Sequence, residues 1–132
     1  MNVDKLILKY NLKADSYYTE SPYKKPRNVE EAQFVHNEVK RLNEKYKKYF
    51  PKGWYGFGGL GYPLPLFWIS VLEEFTDDLV DRFPNIEILQ VKIKFSFLKY
   101  YVGGNVPKEH KQEIHDEIIK LCNVLSDKHL IY

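Results

Sequence analysis

The segment that most constrains the fold is residues 86–102, IEILQVKIKFSFLKYYV, in which apolar and polar side chains alternate. In the first part of the segment the apolar residues are odd-numbered and the polar residues are even-numbered. The apolar residues are Val91, Ile93, Phe95 and Phe97, and the polar residues are Gln90, Lys92, Lys94 and Ser96. A period of two predicts a β-strand with one apolar face. After Ser96 the pattern slips by one residue, which predicts a bulge or a tight reversal there. Gly103-Gly104-Asn105 then predicts a turn.

Three other segments have the apolar spacing of amphipathic helices: residues 28–50, 66–82 and 107–127. In the first, Asn28 can cap the helix, and Glu31 lies at the position that completes a capping box. Its outer face is basic, whereas the outer face of the second helix is acidic. The acidic residues are Glu73, Glu74, Asp77, Asp78 and Asp81.

The remaining segments are less regular. Residues 3–10 are predicted as a strand and residues 11–27 as a loop. Residues 51–65, PKGWYGFGGLGYPLP, hold five glycines and three prolines, which predicts an irregular loop. The expected fold class is therefore α+β, with a short antiparallel sheet or hairpin packed by about three helices. We expect one domain over residues 1–132: an N-terminal strand and loop (1–27), a helix (28–50), a Gly/aromatic loop (51–65) and a helix–strand–helix unit (66–127).

Composition excludes several classes of protein. The net charge of +2 argues against strong nucleic-acid binding by the protein as a whole. The single cysteine, Cys122, excludes an internal disulfide framework and a Cys-rich zinc site. No apolar run approaches the ~20 residues of a membrane span. The first ten residues carry Asp4 and lysines within their apolar stretch, unlike a signal peptide. A cytoplasmic protein is expected.

The first candidate site is the polar face of the predicted strand. Lys92 and Lys94 would project from one side about 7 Å apart, with Lys99 just beyond the slip in the pattern. Ammonium groups at that spacing suit the phosphates of a nucleotide or phosphodiester. The alternative is a solvated face whose charges discourage pairing with another strand.

The second candidate is the Gly/aromatic loop, which carries Trp54, Tyr55, Phe57 and Tyr62. Aromatic rings stack on nucleobases, and glycines let backbone N–H groups approach phosphates. The alternative is that these rings fold back and enlarge a small core.

Catalytic, metal and cofactor sites are not expected. His110 and His115 are five residues apart and do not share a helix face. Cys122 lies beside an apolar stripe, as expected for a buried and unreactive thiol. The carboxylates of residues 66–82 lie opposite the apolar stripe, which favours a solvated or partner-facing surface over a paired-carboxylate site.

From Trp68 to about residue 126 the chain resembles a family of small, mostly uncharacterised phage and prophage proteins. Their pattern is a Gly-Trp that opens a helix, followed by a strand reading QVKEKFGxLRFY. The matching residues are Trp68, Leu72, Phe75, Leu79, Pro84, Gln90, Val91, Lys92, Lys94, Phe95, Leu98 and Tyr101. The chain departs from the pattern at Phe67, Ile93, Ser96 and Lys99, and it lacks the Cys-x-x-Cys ending of many members.

The resemblance implies a phage or prophage setting, where many small proteins block host defences. We therefore expect a non-enzymatic binding protein that sequesters a small anionic, nucleotide-derived signal, without cofactor or metal. Its candidate ligand-binding residues are Trp54, Tyr55, Tyr62, Lys92, Lys94 and Lys99. The alternative is a protein–protein inhibitor or immunity protein that acts through the acidic helix face and exposed tyrosines on a host defence protein. A homodimer is a further expectation, because a small sheet can leave an edge open.

Overall fold

The computed structural model describes residues 3–10, 12, 28–53, 56–58, 64, 68–94 and 97–126. Within these ranges the elements follow in the order α1 (Val3–Lys9), α2 (Val29–Lys45), a 3-10 turn (Lys47–Tyr49), β1 (Gly56–Phe57), α3 (Trp68–Arg82), β2 (Ile86–Lys94), β3 (Phe97–Gly104), a second 3-10 turn (Lys108–His110) and α4 (Lys111–Leu125). The three strands form one mixed sheet in the order β1-β2-β3. The α+β class of a small single domain is confirmed.

The alternating segment is a β-hairpin rather than one continuous strand. β2 and β3 are antiparallel, and Lys94 is the register partner of Phe97. The slip in the pattern is therefore a reversal of the chain, and Phe97 lies on the side of Lys94 instead of the side of Val91. Phe95 and Ser96 lie outside the described residues.

The predicted reversal is therefore confirmed, but the predicted turn at Gly103-Gly104 is wrong, because Gly103 and Gly104 belong to β3 and pair with Glu87 and Ile86, respectively. Gly104 has a φ of +87°, and a Cβ there would lie 2.7 Å from the carbonyl oxygen of Asn85. Both the backbone conformation and the close approach require glycine at this position.

The Gly/aromatic loop contains a regular element that its composition did not predict. Gly56 and Phe57 form β1, which runs parallel to β2 and pairs with Gln90 and Val91. The side chain of Asn43 on α2 binds the free side of β1: its Nδ2 donates to Phe57 O at 3.0 Å, and Phe57 N donates to its Oδ1 at 2.7 Å. One amide thus satisfies both backbone groups of Phe57, as a neighbouring strand would.

The N-terminal segment is helix α1, so the predicted strand over residues 3–10 is wrong. Val3 and Leu6 are buried, and Ile7 and Tyr10 pack against the core. Their spacing of three and four residues is helical, whereas Leu8 on the other side is 83% exposed. Of the predicted loop over residues 11–27, all but the buried Leu12 lie outside the described residues.

The three predicted amphipathic helices are present as α2, α3 and α4, but α2 ends at Lys45 rather than near residue 50, and α4 begins at Lys111 rather than at Pro107. The Asn28 side chain caps α2 by accepting from Glu31 N at 2.8 Å. One core cluster joins the helical stripes to the inner face of the sheet. Its members include Val35, Leu42, Tyr46, Trp68, Leu72, Phe75, Leu79, Val91, Leu98, Tyr100, Ile114, Ile118, Leu121 and Leu125.

β3 is an edge strand, and α4 covers part of that edge. The backbone N–H of Leu98 donates to Ser126 Oγ at 2.6 Å, and this contact is buried. The only backbone donor of Leu98 is therefore already bound to the end of α4. A strand from a second copy of the chain cannot form a hydrogen bond with this N–H group. The expected open edge is absent at this position.

Candidate functional site: the outer face of the hairpin

Three register pairs place six side chains on the face of the hairpin that points away from the core. We call this the outer hairpin face; its pairs are Gln90 with Tyr101, Lys92 with Lys99, and Lys94 with Phe97. The alternate pairs, Val91 with Tyr100 and Ile93 with Leu98, are buried on the inner face. The period of two thus separates a polar and aromatic surface from the core.

The centre of this face concentrates positive charge. Lys92 and Lys99 are directly opposite each other, an arrangement that places Cβ atoms about 5 Å apart and is destabilising for like charges. Lys94 follows on the same face and is exposed. In the described part of the chain neither Lys92 nor Lys99 has a carboxylate partner; the Lys99 Nζ lies 5.7 Å from the ring centroid of Phe97. The structure therefore brings the three predicted lysines together.

Of the predicted loop aromatics, Trp54, Tyr55 and Tyr62 lie outside the described residues, whereas Phe57 is buried in the core, as the alternative of a ring that folds back expected. The residue that follows Tyr55, Gly56, is the register partner of Gln90, two positions before Lys92 along β2. The loop is thus anchored to the strand that carries two of the three lysines.

Two aromatic residues of the outer hairpin face were missed from the sequence. Phe97 is half-buried and Tyr101 is 45% exposed, and they lie on either side of Lys99 along β3. The change in the apolar–polar alternation after Ser96 could have identified them. If this change marks a reversal of the chain, the odd-numbered residues of β3 lie on the outer hairpin face together with the lysines. The sequence left a bulge and a reversal open, so this assignment could not be made.

The acidic face of α3 is a second charged surface, and it faces the basic side of α2. Arg41 makes a bidentate pair with Glu73, with Nη1–Oε2 and Nη2–Oε1 distances of 2.6 and 2.9 Å. Lys45 bridges Glu73 at 2.8 Å and Asp77 at 3.1 Å. Tyr46 donates its hydroxyl to Asp77 as well. These carboxylates lie on a solvated surface, as expected, but they are also engaged within the protein, because they hold two helices together.

A smaller cluster of polar side chains holds α1 and α3 together. Glu74 accepts from Lys9 Nζ at 3.0 Å and from the Tyr10 hydroxyl at 2.6 Å. The hydrogen bond to Glu74 raises the pKa of Tyr10 to about 12, with burial adding to the shift. Glu74 is therefore also engaged within the protein.

These contacts change the acid–base behaviour of the α2–α3 interface. The hydrogen bond from Arg41 lowers the pKa of Glu73 from 4.5 to about 2; Lys45 adds to this effect and burial opposes it. Burial raises the pKa of Tyr46, and its hydrogen bond to Asp77 raises it further. Glu73 thus stays ionised in the folded protein at pH values where it is protonated in the unfolded chain.

Glu73 should therefore stabilise the protein at neutral pH and lose this effect in acid. A lowered pKa in the folded state means that the contribution is complete above about pH 4.5 and disappears as the pH falls towards 2. Glu73→Gln should lower the free energy of unfolding by about 1–2 kcal/mol at pH 6, since solvent screens the partly exposed Arg41 and Lys45.

Urea denaturation at pH 6 and pH 2.5 measures this effect. The deficit of Glu73→Gln should shrink at pH 2.5, while Glu44→Gln at an exposed position of α2 should match wild type at both pH values. An equal deficit for Glu73→Gln at the two pH values would contradict the assignment.

Two further reactive side chains, Cys122 and His110, are protonated or engaged. Burial raises the pKa of the Cys122 thiol to about 11, as expected for an unreactive cysteine. His110 Nδ1 lies 3.1 Å from Glu113 Oε2.

Among the described residues, no cluster of three His, Cys, Asp or Glu side chains could hold a metal ion. In the same part of the chain no helix has both the length and the apolar character needed to cross a membrane.

Comparison with known proteins gives no match to a family model, to a curated protein or to a solved structure. The resemblance to small phage proteins stays a prediction, and the geometry of the described residues carries the functional argument.

Proposed function

We propose that this chain is a non-enzymatic binding protein for a small anionic ligand of nucleotide type, and that the ligand lies on the outer hairpin face. The observation that carries the proposal is the direct opposition of Lys92 and Lys99 in the middle of the hairpin. Two like charges at this spacing cost sheet stability. A bound phosphate would turn this repulsion into two charge-assisted hydrogen bonds.

The distribution of the other charges supports the same site. Within the described residues, several other cations are paired with carboxylates: Lys9 with Glu74, Arg82 with Glu113, and Lys120 with Asp4. In that part of the chain Lys92 and Lys99 have no such partner; exposed lysines such as Lys108 and Lys111 also lack one, but Lys92 and Lys99 are in addition directly opposite each other. An anion brought from solution therefore finds charge there that the protein itself has not neutralised.

The proposed biological role is sequestration of a nucleotide-derived defence signal in the cytoplasm of a bacterial host. This part rests on the resemblance to phage and prophage proteins. The candidate residues Trp54, Tyr55 and Tyr62 remain part of the proposal as ligand-stacking groups.

A homodimer is retained as a proposal that does not use the Leu98 edge; a molar mass of 15.8 kDa across micromolar concentrations would reject it.

Titration calorimetry with cyclic di-adenylate, cyclic tri-adenylate and adenosine-diphosphate-ribose tests the site. We expect at least one of these probes to bind with micromolar or tighter affinity. Lys92→Ala combined with Lys99→Ala should weaken binding at least tenfold, because hydrogen bonds to charged groups contribute roughly 1.5–3 kcal/mol each. It should also reduce the dependence of affinity on salt.

The matched control is Lys108→Ala combined with Lys111→Ala, which removes the same net charge from two exposed positions before and at the start of α4. It should bind as wild type does. Neither double variant should melt at a lower temperature, since the hairpin variant relieves a repulsion. Equal weakening in both double variants, or no binding of any probe, contradicts the proposal; the second result favours a protein partner.

A further inference from the structure

The six residues of the outer hairpin face form three pairs that follow one another along this face. The two aromatic residues belong to the first and the last of these pairs. Tyr101 lies opposite Gln90 in the first pair, Lys99 opposite Lys92 in the second, and Phe97 opposite Lys94 in the third. Lys99 therefore lies between two aromatic side chains along β3, with Lys92 opposite it on β2. This order is independent of the loop residues that the sequence singled out.

The spacing along β3 separates the two rings into two stacking positions. Four residues at ~3.3 Å per residue place the Cα atoms of Phe97 and Tyr101 about 13 Å apart. One nucleobase cannot cover both rings at that separation. Each ring can instead receive its own base, because stacking needs only a π face.

Between the two rings, the face offers positive charge where a linking phosphate would lie. Lys99 is two residues from each aromatic residue, and Lys92 is directly across from it on β2. The Lys99 ammonium lies over the Phe97 ring, 5.7 Å from its centroid, so a base that stacks on this face must displace the ammonium towards the linking phosphate. At the other end, the amide of Gln90 can both donate to and accept from the edge of a base on Tyr101.

We infer that the ligand is a dinucleotide unit, with one base on Phe97, the other on Tyr101, and the phosphate that joins them between Lys92 and Lys99. This inference rests on the proposed function and deepens it by naming the class of ligand. A mononucleotide fills one stacking position and half of the face. Inorganic pyrophosphate fills neither stacking position.

The test compares the linear adenylate dinucleotide pApA, AMP and inorganic pyrophosphate by titration calorimetry on the full chain. pApA should bind at least tenfold more tightly than AMP, and pyrophosphate should bind most weakly. Phe97→Leu and Tyr101→Leu keep an apolar side chain and remove the π face. Each should weaken pApA at least fivefold, because stacking contributes measurably for each base, and leave pyrophosphate unchanged.

The control is Phe34→Leu, which removes an exposed aromatic ring from α2. Circular dichroism should show the same melting temperature for all three leucine variants within a few degrees. If AMP binds as tightly as pApA in a Lys92- and Lys99-dependent way, the dinucleotide inference is wrong and the proposed anion site stands. If AMP, pApA and pyrophosphate all fail to bind, and the three probes of the previous section fail as well, both are wrong.

Discussion

Replacing Phe75 with Ala should lower the free energy of unfolding by about 3–5 kcal/mol, the range for large aromatic residues removed from a packed core. Phe75 is 1% exposed, and its ring meets the ring of Tyr100 edge-on with centroids 5.4 Å apart. The Tyr100 hydroxyl is in turn hydrogen-bonded to Thr76 at 2.7 Å. Loss of the Phe75 ring leaves a cavity where α3 meets the sheet.

Urea denaturation measures this loss, and Phe34→Ala is the matched control. Phe34 is 53% exposed on α2, so its removal should change stability by no more than about 0.5 kcal/mol. Similar midpoints for wild type and Phe75→Ala would show that α3 does not pack on the sheet as described.

Replacing Ser126 with Ala should destabilise the protein by about 1–3 kcal/mol, because the buried N–H of Leu98 loses its acceptor. The effect is large for the removal of one oxygen atom. Ser126 joins the end of α4 to the beginning of β3, two elements that meet through tertiary contact rather than through the turn between them. Hydrogen exchange at the Leu98 amide should accelerate together with the loss of stability.

The matched control for this change is Ser70→Ala at an exposed position of α3. It should leave the urea midpoint unchanged. A destabilised Ser126→Ala with normal protection of the Leu98 amide would argue against the hydrogen bond as the cause.

The elements of this fold could be predicted where periodicity is local. The stripes containing Leu42, Leu72 and Ile118 each repeat at helical spacing, and all three residues are buried. The alternation around Val91 likewise predicts a strand with one apolar face. The lysine part of the candidate site followed from the same alternation, since polar positions on such a strand must point away from the core.

Other features depend on partners that are far away in the sequence. The reversal after Lys94 places Phe97 and Tyr101 beside the lysines, and local alternation cannot distinguish a reversal from a bulge. The strand at Gly56–Phe57 exists because Asn43 and β2 satisfy its backbone from two sides. Its glycine-rich composition carries no sign of either partner.

By itself, the sequence determined which side chains of the three amphipathic helices and of the hairpin are withdrawn from water, whereas the N-terminal segment, predicted as a strand, was identified as a helix only by the structure. Tertiary structure alone decided which charged groups neutralise one another. Glu73 on α3 meets Arg41 on α2, whereas Lys92 meets Lys99. Burial follows from each residue's own chemistry and local period, but charge pairing depends on register and helix packing across long separations in the chain.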